Sequence, residues 1–223
     1  LDGVILTTTD LDSQLPYELR RRGVPFVLLN RDTLQQEYDA CVVNNTVGVW
    51  DVAKLLLGLD HQRIGAIFGP DTASTGLERR TGFARALERL GASLPNSLTF
   101  SGPFSSTTGS QGFQYLWKAK PTAIFCANDV IALGALSEAA ALGVRIPKDV
   151  TLVGFDNIPM SSWNIFGLTT IGVSLEEMAM TAVGLLTRRM EDTEREVQRV
   201  TMQPLLTLRS TDGRPRALEE ETR

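Results

Sequence analysis

The sequence predicts an α/β fold in which parallel sheets are covered by helices on both faces. Short runs rich in Val, Ile and Leu alternate with stretches of helical period almost throughout the chain. The connections between them are short, and such alternation is typical of a parallel sheet with helices packed on both sides. With 223 residues, of which 43% are hydrophobic, the chain can bury the core of one large domain or two small ones.

The individual elements follow from the same periodicities. Near-continuous apolar runs predict strands over residues 4–7, 26–29, 64–68, 98–101, 123–127 and 152–155. Helices are predicted over residues 14–22, 46–59, 77–90, 109–118, 129–142 and 174–190. Ser174 and Glu177 have the spacing of a capping box, so the last helix should begin directly after Ser174.

Charge and composition exclude several classes of protein. The net charge of −4 argues against nucleic-acid binding by this segment, because phosphate contacts require a dense basic face. No apolar run reaches the roughly 18 residues that would cross a bilayer. Cys41 and Cys126 both lie inside apolar runs, and two buried, unpaired thiols fit a reducing cytoplasm better than a secreted disulfide framework.

The sequence gives little support to an enzyme. Its one histidine, His61, lies between a predicted helix and a predicted strand, where a surface or capping role is the more frequent one. The sequence contains no histidine–cysteine cluster for a metal, no GxSxG elbow and no phosphate-binding P-loop. We therefore expect no catalytic site, metal or cofactor, although a hydrolase built on aspartates alone stays open.

Polar side chains instead follow the predicted strands, where an open parallel sheet binds its ligands. The candidates are hydroxyls, amides, one acid, one aromatic ring and one arginine; they are Thr7, Asn30, Thr75, Arg79, Phe104, Asn128 and Asp156. This set suits a neutral, polyhydroxylated ligand, and an anionic ligand would be expected to need more than one cation. Taken singly, each residue is better explained as a cap, a turn, a surface ion pair or core. Together, at successive strand ends, they favour a binding site.

Seven blocks of sequence carry a family resemblance. They are DGVIL at 2–6, VPFVLLNR at 24–31, ERRTGF at 78–83, PTAIFCAND at 121–129, IPKDV at 146–150, GFDN at 154–157 and LTTI at 168–171. In this order they closely resemble the effector-binding domain of the LacI/GalR family of bacterial repressors, which has a periplasmic-binding-protein-like fold. The resemblance extends from residue 1 to about residue 211, where residues 204–211 resemble the end of the family's domain.

The resemblance implies two lobes joined by three crossovers, with an effector held between them. It assigns residues 1–43 and 172–197 to the first lobe and residues 44–171 and 198–211 to the second. Residues 210–223 are polar and charged, a composition that predicts a frayed end, and residues 212–223, beyond the resemblance, are assigned to this tail. The first lobe is expected to be incomplete and the DNA-binding headpiece to lie outside this chain. Asn44 and the pair Phe166-Gly167 depart from the family pattern, so the effector's identity cannot be carried over from a relative.

The resemblance also implies roles for the candidate residues. Arg79 matches the arginine that anchors the effector, Asn128 and Asp156 match the other polar anchors, and Phe104 matches a ring that packs on the effector. Thr75 matches a residue lining the site, while Thr7 and Asn30 match more variable contacts from the first lobe.

The expected function is the effector-sensing part of a sugar-responsive repressor. Binding of a small, neutral, polyhydroxylated effector between the lobes would change the geometry of a cytoplasmic homodimer and its affinity for operator DNA. No membrane partner is expected. The main alternative is a periplasmic sugar-binding protein serving a transporter or chemoreceptor, and a sugar-converting α/β enzyme is a third.

Overall fold

The structure is a computed structural model that describes residues 2–215. This part of the chain contains ten strands and six α-helices. In order they are β1 (Val4–Leu6), α1 (Leu15–Arg21), β2 (Phe26–Leu29), β3 (Ala40–Val43), α2 (Asn45–Gly58), β4 (Ile64–Phe68), α3 (Ser74–Arg89), β5 (Thr99–Ser101), α4 (Ser106–Trp117), β6 (Ala123–Cys126), α5 (Asp129–Ala141), β7 (Thr151–Phe155), β8 (Thr169–Gly172), α6 (Leu175–Glu191), β9 (Arg199–Met202) and β10 (Leu205–Thr207).

The strands form two separate sheets. The first has the order β1-β2-β3-β9 and is parallel throughout. The second has the order β10-β8-β7-β6-β4-β5, and only β10 runs antiparallel to its neighbour. The predicted α/β fold class is confirmed.

Both faces of each sheet pack against helices. In β4, Phe68 packs with α2 and α3, whereas the preceding Ile67 packs with α4 and α5 on the opposite face, as the two-residue period of a strand requires. In the first sheet, Val27 of β2 faces α6, and Leu28 faces Leu19 of α1. This double coverage explains why the strands are apolar at nearly every position.

The chain crosses between the two sheets three times. The crossings follow β3, β8 and β9, since β10 joins the second sheet after β9 has completed the first. Residues Arg199–Met202 pair in parallel with Ala40–Val43. The expected lobe boundary before residue 198 is therefore wrong, and the third crossing falls at about residue 203.

Helix α3 begins at Ser74, three residues before its predicted start at residue 77. The apolar periodicity did not reveal this first turn because Ser74, Thr75 and Gly76 are small residues. They are buried, and a Cβ on Gly76 would lie 2.0 Å from the Pro70 carbonyl oxygen. The earlier start places Thr75 and Arg79 four residues apart in one helix, on the same face.

His61 is fully buried, so its expected surface or capping role is wrong. Its Nδ1 lies 3.1 Å from Thr122 Oγ1, and its Nε2 lies 2.8 Å from the Gly213 carbonyl oxygen. Burial lowers the pKa of the imidazole. Thr151 Oγ1 also binds Gly213 through both its carbonyl and its N–H.

These contacts hold residues that the sequence assigned to a frayed tail. Thr211 is buried and donates to the Leu152 carbonyl oxygen at 2.7 Å, and Asp212 accepts a hydrogen bond from Thr169. The packed chain therefore continues past residue 211, and the rest of the expected tail, residues 216–223, lies outside the described residues. As expected, Cys41 and Cys126 are buried free thiols. Within residues 2–215, no helix has the combined length and apolarity needed to cross a membrane.

A buried ionic cluster fixes the return of the chain from α6 into the first sheet. Asp39, 2% exposed, lies 2.9 Å from Arg189 Nε and 3.3 Å from Arg195 Nη1. Its Oδ1 also accepts from the Gln198 backbone N–H at 2.6 Å. A carboxylate with several charge-assisted partners can remain ionised without water.

Replacing Asp39 should therefore destabilise the fold. Asp39→Asn leaves two partly buried guanidinium groups without this counter-ion, and we expect it to lower the free energy of unfolding by about 3–5 kcal/mol. Urea denaturation measures the change. The matched control is Glu37→Gln, which removes an exposed partner of Arg20 and should cost no more than about 1 kcal/mol. Equal losses in the two variants would contradict the assignment.

Candidate functional site

Arg79 of α3 lies at the centre of the site and is 1% exposed. Its Nε donates to Asn45 Oδ1 at 2.8 Å, and its Nη1 donates to the Ala127 carbonyl oxygen at 2.7 Å. Its guanidinium carbon lies 3.8 Å from the centroid of the Phe155 ring, within the range of a cation–π contact. Arg79 thus joins the beginning of α2 to the carboxyl ends of β6 and β7.

Asp156 directly follows β7 and faces Arg79. Its Oδ1 lies 2.8 Å from Arg79 Nη2, yet this buried Nη2 has no hydrogen-bond partner of suitable geometry within residues 2–215. Asp156 has a φ of +105°, an unusual conformation for a residue with a side chain. Gly172 allows this turn, because a Cβ there would lie 2.4 Å from the Asp156 backbone.

Asp129, the first residue of α5, stabilises the same turn by accepting hydrogen bonds. Its Oδ2 accepts from the Ile158 backbone N–H at 2.9 Å, and its Oδ1 accepts from Thr170 Oγ1 at 2.6 Å. Burial raises the pKa of this carboxyl to about 7, and the charge of Asp156 adds to the shift. The sequence did not reveal this role, because an acid at the start of a helix usually indicates only a favourable interaction with the helix dipole.

The structure places three further candidates around Arg79 and Asp156. Asn128 caps α5, its Oδ1 accepting from the Ile131 N–H at 2.8 Å, so the helix-capping interpretation is confirmed for this side chain. Thr75 is buried in the first turn of α3, on the face that carries Arg79. Phe104 packs against the apolar cluster that α4 and α5 form on the second sheet. Its ring also lies close over Gly69, where a Cβ would be 2.2 Å from it.

The two candidates on the first sheet differ from each other. Asn30, with a φ of +56°, lines a cavity of about 120 Å³ together with Asp156 and Gly172. Its Oδ1 is buried and has no hydrogen-bond partner among the described residues. Thr7 is exposed, and no described hydrogen bond connects it to the other candidates. The structure therefore brings six of the seven residues to one region, and their role in ligand binding stays a prediction.

Arg31 is a residue of the site that the predicted set omits. Its guanidinium carbon lies 5.1 Å from the centre of the Phe104 ring, and its Nη1 donates to Thr75 Oγ1. Burial lowers the pKa of Arg31, and the positive charge of Arg79 lowers it further. Its position after Asn30 at a strand end was the available signal, but an arginine in a loop is more often a surface residue.

Contacts across the mouth of the cleft hold the two sheets together. The Asp32 N–H donates to Ser74 Oγ at 3.0 Å, and the Leu11 N–H donates to the Thr72 carbonyl oxygen at 2.8 Å. With the Arg31–Thr75 hydrogen bond, these form what we call the mouth contacts. The cavity beside Asn30 and Asp156 has a volume of about 120 Å³. Small-molecule sites generally require about 300–1,000 Å³, so the space between the sheets is small.

A larger cavity of about 430 Å³ lies at the opposite end of the first sheet, beside Pro25, Asp39 and Arg195. It lies farther from the strand ends that carry the candidate residues than the 120 Å³ cavity does. Arg189, which lines this cavity, donates hydrogen bonds to Asp39 and to the carbonyl oxygens of residues 193, 195 and 196. The polar groups of this wall therefore belong to the ionic cluster around Asp39.

The raised pKa of Asp129 predicts a pH-dependent stability. The folded state keeps this proton to a higher pH than the unfolded chain, so the stabilisation it contributes falls as the pH rises from about 4 to about 7. We expect the difference in unfolding free energy between wild type and Asp129→Asn to decrease from about pH 5.5 to about pH 8. Urea unfolding at both values measures it.

Glu138→Gln is the control for this experiment. Hydrogen bonds from Ser110 and Gln114 lower the pKa of the exposed Glu138 carboxyl. This group is therefore largely ionised in both states above about pH 5.5, and its replacement should not change the pH dependence there. A difference between wild type and Asp129→Asn that is constant with pH would be incompatible with a proton held on Asp129.

Comparison with known proteins agrees with this architecture. The family model described as "Periplasmic binding protein-like domain" matches residues 53–211. The HTH-type transcriptional repressor PurR of Vibrio vulnificus is 29% identical over 214 residues, which are 95% of this chain and 64% of the repressor. The chain thus spans slightly less than two thirds of the length of that relative.

Solved structures of regulators are also similar. The complex of the transcriptional regulator CelR with cellobiose matches with a TM-score of 0.88 and 28% identity, covering 95% of this chain and 66% of that one. A LacI family regulator from Enterococcus faecium with bound ribose matches with a TM-score of 0.84 and 26% identity, covering 96% and 80%. The relatives and solved structures named above are transcriptional regulators. The chain therefore belongs to the periplasmic-binding-protein-like domain family.

Proposed function

We propose that this chain is the effector-sensing part of a sugar-responsive, DNA-binding transcriptional repressor. The observation that carries the proposal is an unpaired buried acceptor beside an ion pair. Asn30 Oδ1 has no hydrogen-bond partner among the described residues, and it lies in a cavity shared with Asp156, whose Oδ1 is 2.8 Å from Arg79 Nη2.

A ligand hydroxyl can donate a hydrogen bond to Asn30 Oδ1, and its oxygen can accept others. A polyhydroxylated molecule would present several such groups to Asn30, Arg79 and Asp156, and the ring of Phe104 could cover an apolar sugar face. Leaving a buried acceptor such as Asn30 Oδ1 unpaired costs about 1–3 kcal/mol. An effector held by Arg79 and Asp156 recovers this free energy only when it also reaches Asn30 on the other side of the cleft.

Bridging between the sheets gives the proposed mechanism of sensing. An effector shifts the balance between open and closed lobes only by the extra contacts it makes in the closed state. The cavity lined by Asn30 and Asp156 measures about 120 Å³, so the mouth contacts must separate to admit a sugar. They re-form once the sugar is bound. We propose lobes of residues 2–43 and 172–202, and of residues 44–171 and 203–214, moving about the three crossings.

The named relatives support the regulatory function over its alternatives. They are regulators, and two of the solved ones hold cellobiose or ribose. A periplasmic sugar-binding protein would share the cleft, but two buried free cysteines and the regulator-like ending at residues 204–211 favour a cytoplasmic repressor. A sugar-converting enzyme would turn its ligand over, and we propose binding without turnover.

We further propose that the protein acts as a homodimer on operator DNA, through a headpiece that is not part of this chain. Exposed apolar side chains support a dimer contact on the loop that follows Asp156. Ile165 is 82% exposed and Trp163 is 54% exposed, with Met160 beside them. Several large apolar groups on one exposed loop are typical of an interaction surface. The sequence of the whole protein upstream of residue 1 distinguishes a repressor from a transport protein directly.

Asp156→Asn tests the proposed site. In a thermal-shift screen of cellobiose, ribose, glucose and related sugars, a sugar that binds should raise the melting temperature of the wild type. The same sugar should bind Asp156→Asn about 10–100-fold more weakly, since a charge-assisted hydrogen bond is lost. The variant should also unfold at a lower temperature, because Arg79 loses its counter-ion, so affinities are compared where both proteins are folded.

Asp71→Asn is the matched control, because Asp71 pairs with Arg80 on the exposed surface of α3. It should bind the sugar as wild type does. Equal weakening in both variants, or no sugar that stabilises the wild type, would argue against the proposed site. Arg79→Ala is a poor test because it removes a buried structural contact as well as a ligand contact.

A variant of the exposed loop tests the dimer. Ile165→Asp combined with Trp163→Asp places two charges on the proposed contact, where burying them would cost several kcal/mol. We expect a monomer in light scattering coupled to size-exclusion chromatography, with unchanged thermal stability. Tyr115→Asp, on an exposed face of α4, should leave the dimer intact. A dimer that persists in the loop variant would exclude this surface.

A further inference from the structure

Arg31 is a half-buried cation in the cleft that has no carboxylate partner. Among the described residues, no Asp or Glu oxygen lies within 4.0 Å of its guanidinium. Its one described side-chain hydrogen bond goes to the neutral hydroxyl of Thr75. A desolvated charge with a single neutral acceptor is unfavourable unless another group compensates it.

Other arginines of low exposure in residues 2–215 are better compensated. Arg189 and Arg195 share Asp39, Arg199 pairs with Asp32, and Arg79 faces Asp156. The half-buried Arg209 has no carboxylate, but it donates to two acceptors, the Leu168 carbonyl oxygen and Asn157 Oδ1. Arg31 therefore stands out, because it lies between the two sheets with a single hydroxyl as its acceptor.

The surroundings of Arg31 add positive charge. The positive charge of Arg79 lowers the pKa of Arg31. The negative charges of Asp156 and the exposed Asp10 raise it, but both carboxylates lie beyond ion-pair distance. Asp156 is already engaged by Arg79, and Asp10 Oδ1 lies 3.3 Å from Thr72 Oγ1. The Phe104 ring covers one face of the Arg31 guanidinium, so the donors at its edge remain to bind a ligand in the cleft.

We propose that the effector carries an anionic group, a phosphate monoester or a carboxylate, which is bound by Arg31. The inference rests on the proposed function, since it places this group on the same polyhydroxylated effector that contacts Asn30 and Asp156. A guanidinium donates two parallel hydrogen bonds to such an anion, a geometry that a neutral hydroxyl cannot match. The expectation of a neutral ligand depended on counting one arginine, and the cleft contains two.

Calorimetric titration with matched ligands tests the proposal. The ligands are ribose and ribose 5-phosphate; glucose, glucose 6-phosphate and glucuronate; and inorganic phosphate, all at constant ionic strength. The proteins are wild type, Arg31→Gln, Arg31→Lys and the control Arg80→Gln, which removes a positive charge on the exposed face of α3. Circular dichroism melting shows that each variant is folded at the temperature of the titration.

The proposal predicts that an anionic sugar binds the wild type and Arg80→Gln at least about ten-fold more tightly than its neutral parent does. Arg31→Gln should lose this preference, by about 10–100-fold in affinity for the anionic sugar, while its affinity for the neutral parent is kept. Arg31→Lys should retain part of the preference, because it keeps the charge and loses the planar fork. Preference for a phosphate or for a carboxylate identifies the anionic group.

The remaining outcomes separate the two proposals. Neutral sugars that bind wild type and Arg31→Gln equally, with no gain for their anionic partners, overturn the anionic effector and leave the sugar sensor intact. Failure of every sugar to bind the wild type overturns the sugar sensor itself. In that case, inorganic phosphate that binds wild type and Arg80→Gln but not Arg31→Gln still supports the anion site, and equal binding to all variants overturns it.

Discussion

The burial of the Arg79 guanidinium is the constraint on which the rest of the cleft depends. A charged group that is 1% exposed must receive hydrogen bonds and a counter-charge from the protein, because water is excluded. Asn45, the Ala127 carbonyl and Asp156 provide them from three separate elements. Their positions are therefore tied to one another, and the carboxyl ends of β6 and β7 are held at a fixed distance from α2 and α3.

The turn after β7 accompanies this burial with an unusual conformation. Asp156 faces Arg79 with a φ of +105°, Gly172 leaves room for its backbone, and Asp129 accepts a hydrogen bond from the Ile158 N–H of the same turn. The result is a carboxylate with one oxygen beside Arg79 and a quarter of the side chain still exposed. The carboxyl ends of β6 and β7 thus present polar groups to the cleft, and Asn30 and Arg31 add others from the end of β2.

The sequence predicted the fold class and most strands because a short, near-continuous apolar run between two helical stretches is typical of a buried parallel strand. It also located Arg79, Asp156 and Asn30, since parallel strands bring their carboxyl ends to one edge whatever the details of packing. Strand β9 was placed with the wrong sheet because Arg199 and Thr201 give it no apolar run, and its parallel pairing with β3 depends on residues about 160 positions away.

Side-chain partners were less accessible to sequence reasoning. The burial of His61 depends on Gly213, more than 150 residues later, and nothing local indicates it. Thr7 directly follows a strand, as expected, yet its side chain is exposed. The position of a residue after a strand does not determine which way the loop turns its side chain. Arg31 was visible beside Asn30, but its lack of a carboxylate partner could be recognised only once the ion pairs of the other arginines were known.

The central claim is that a sugar bridges the two sheets and stabilises the closed cleft. The most direct test is a distance measurement between spin labels on cysteines introduced at the exposed positions Gln35 and Glu88, on opposite sides of the cleft; the native Cys41 and Cys126 are buried. Double electron–electron resonance should give a shorter and narrower distance distribution when a stabilising sugar is bound. An identical distribution with and without that sugar at saturation would contradict the claim.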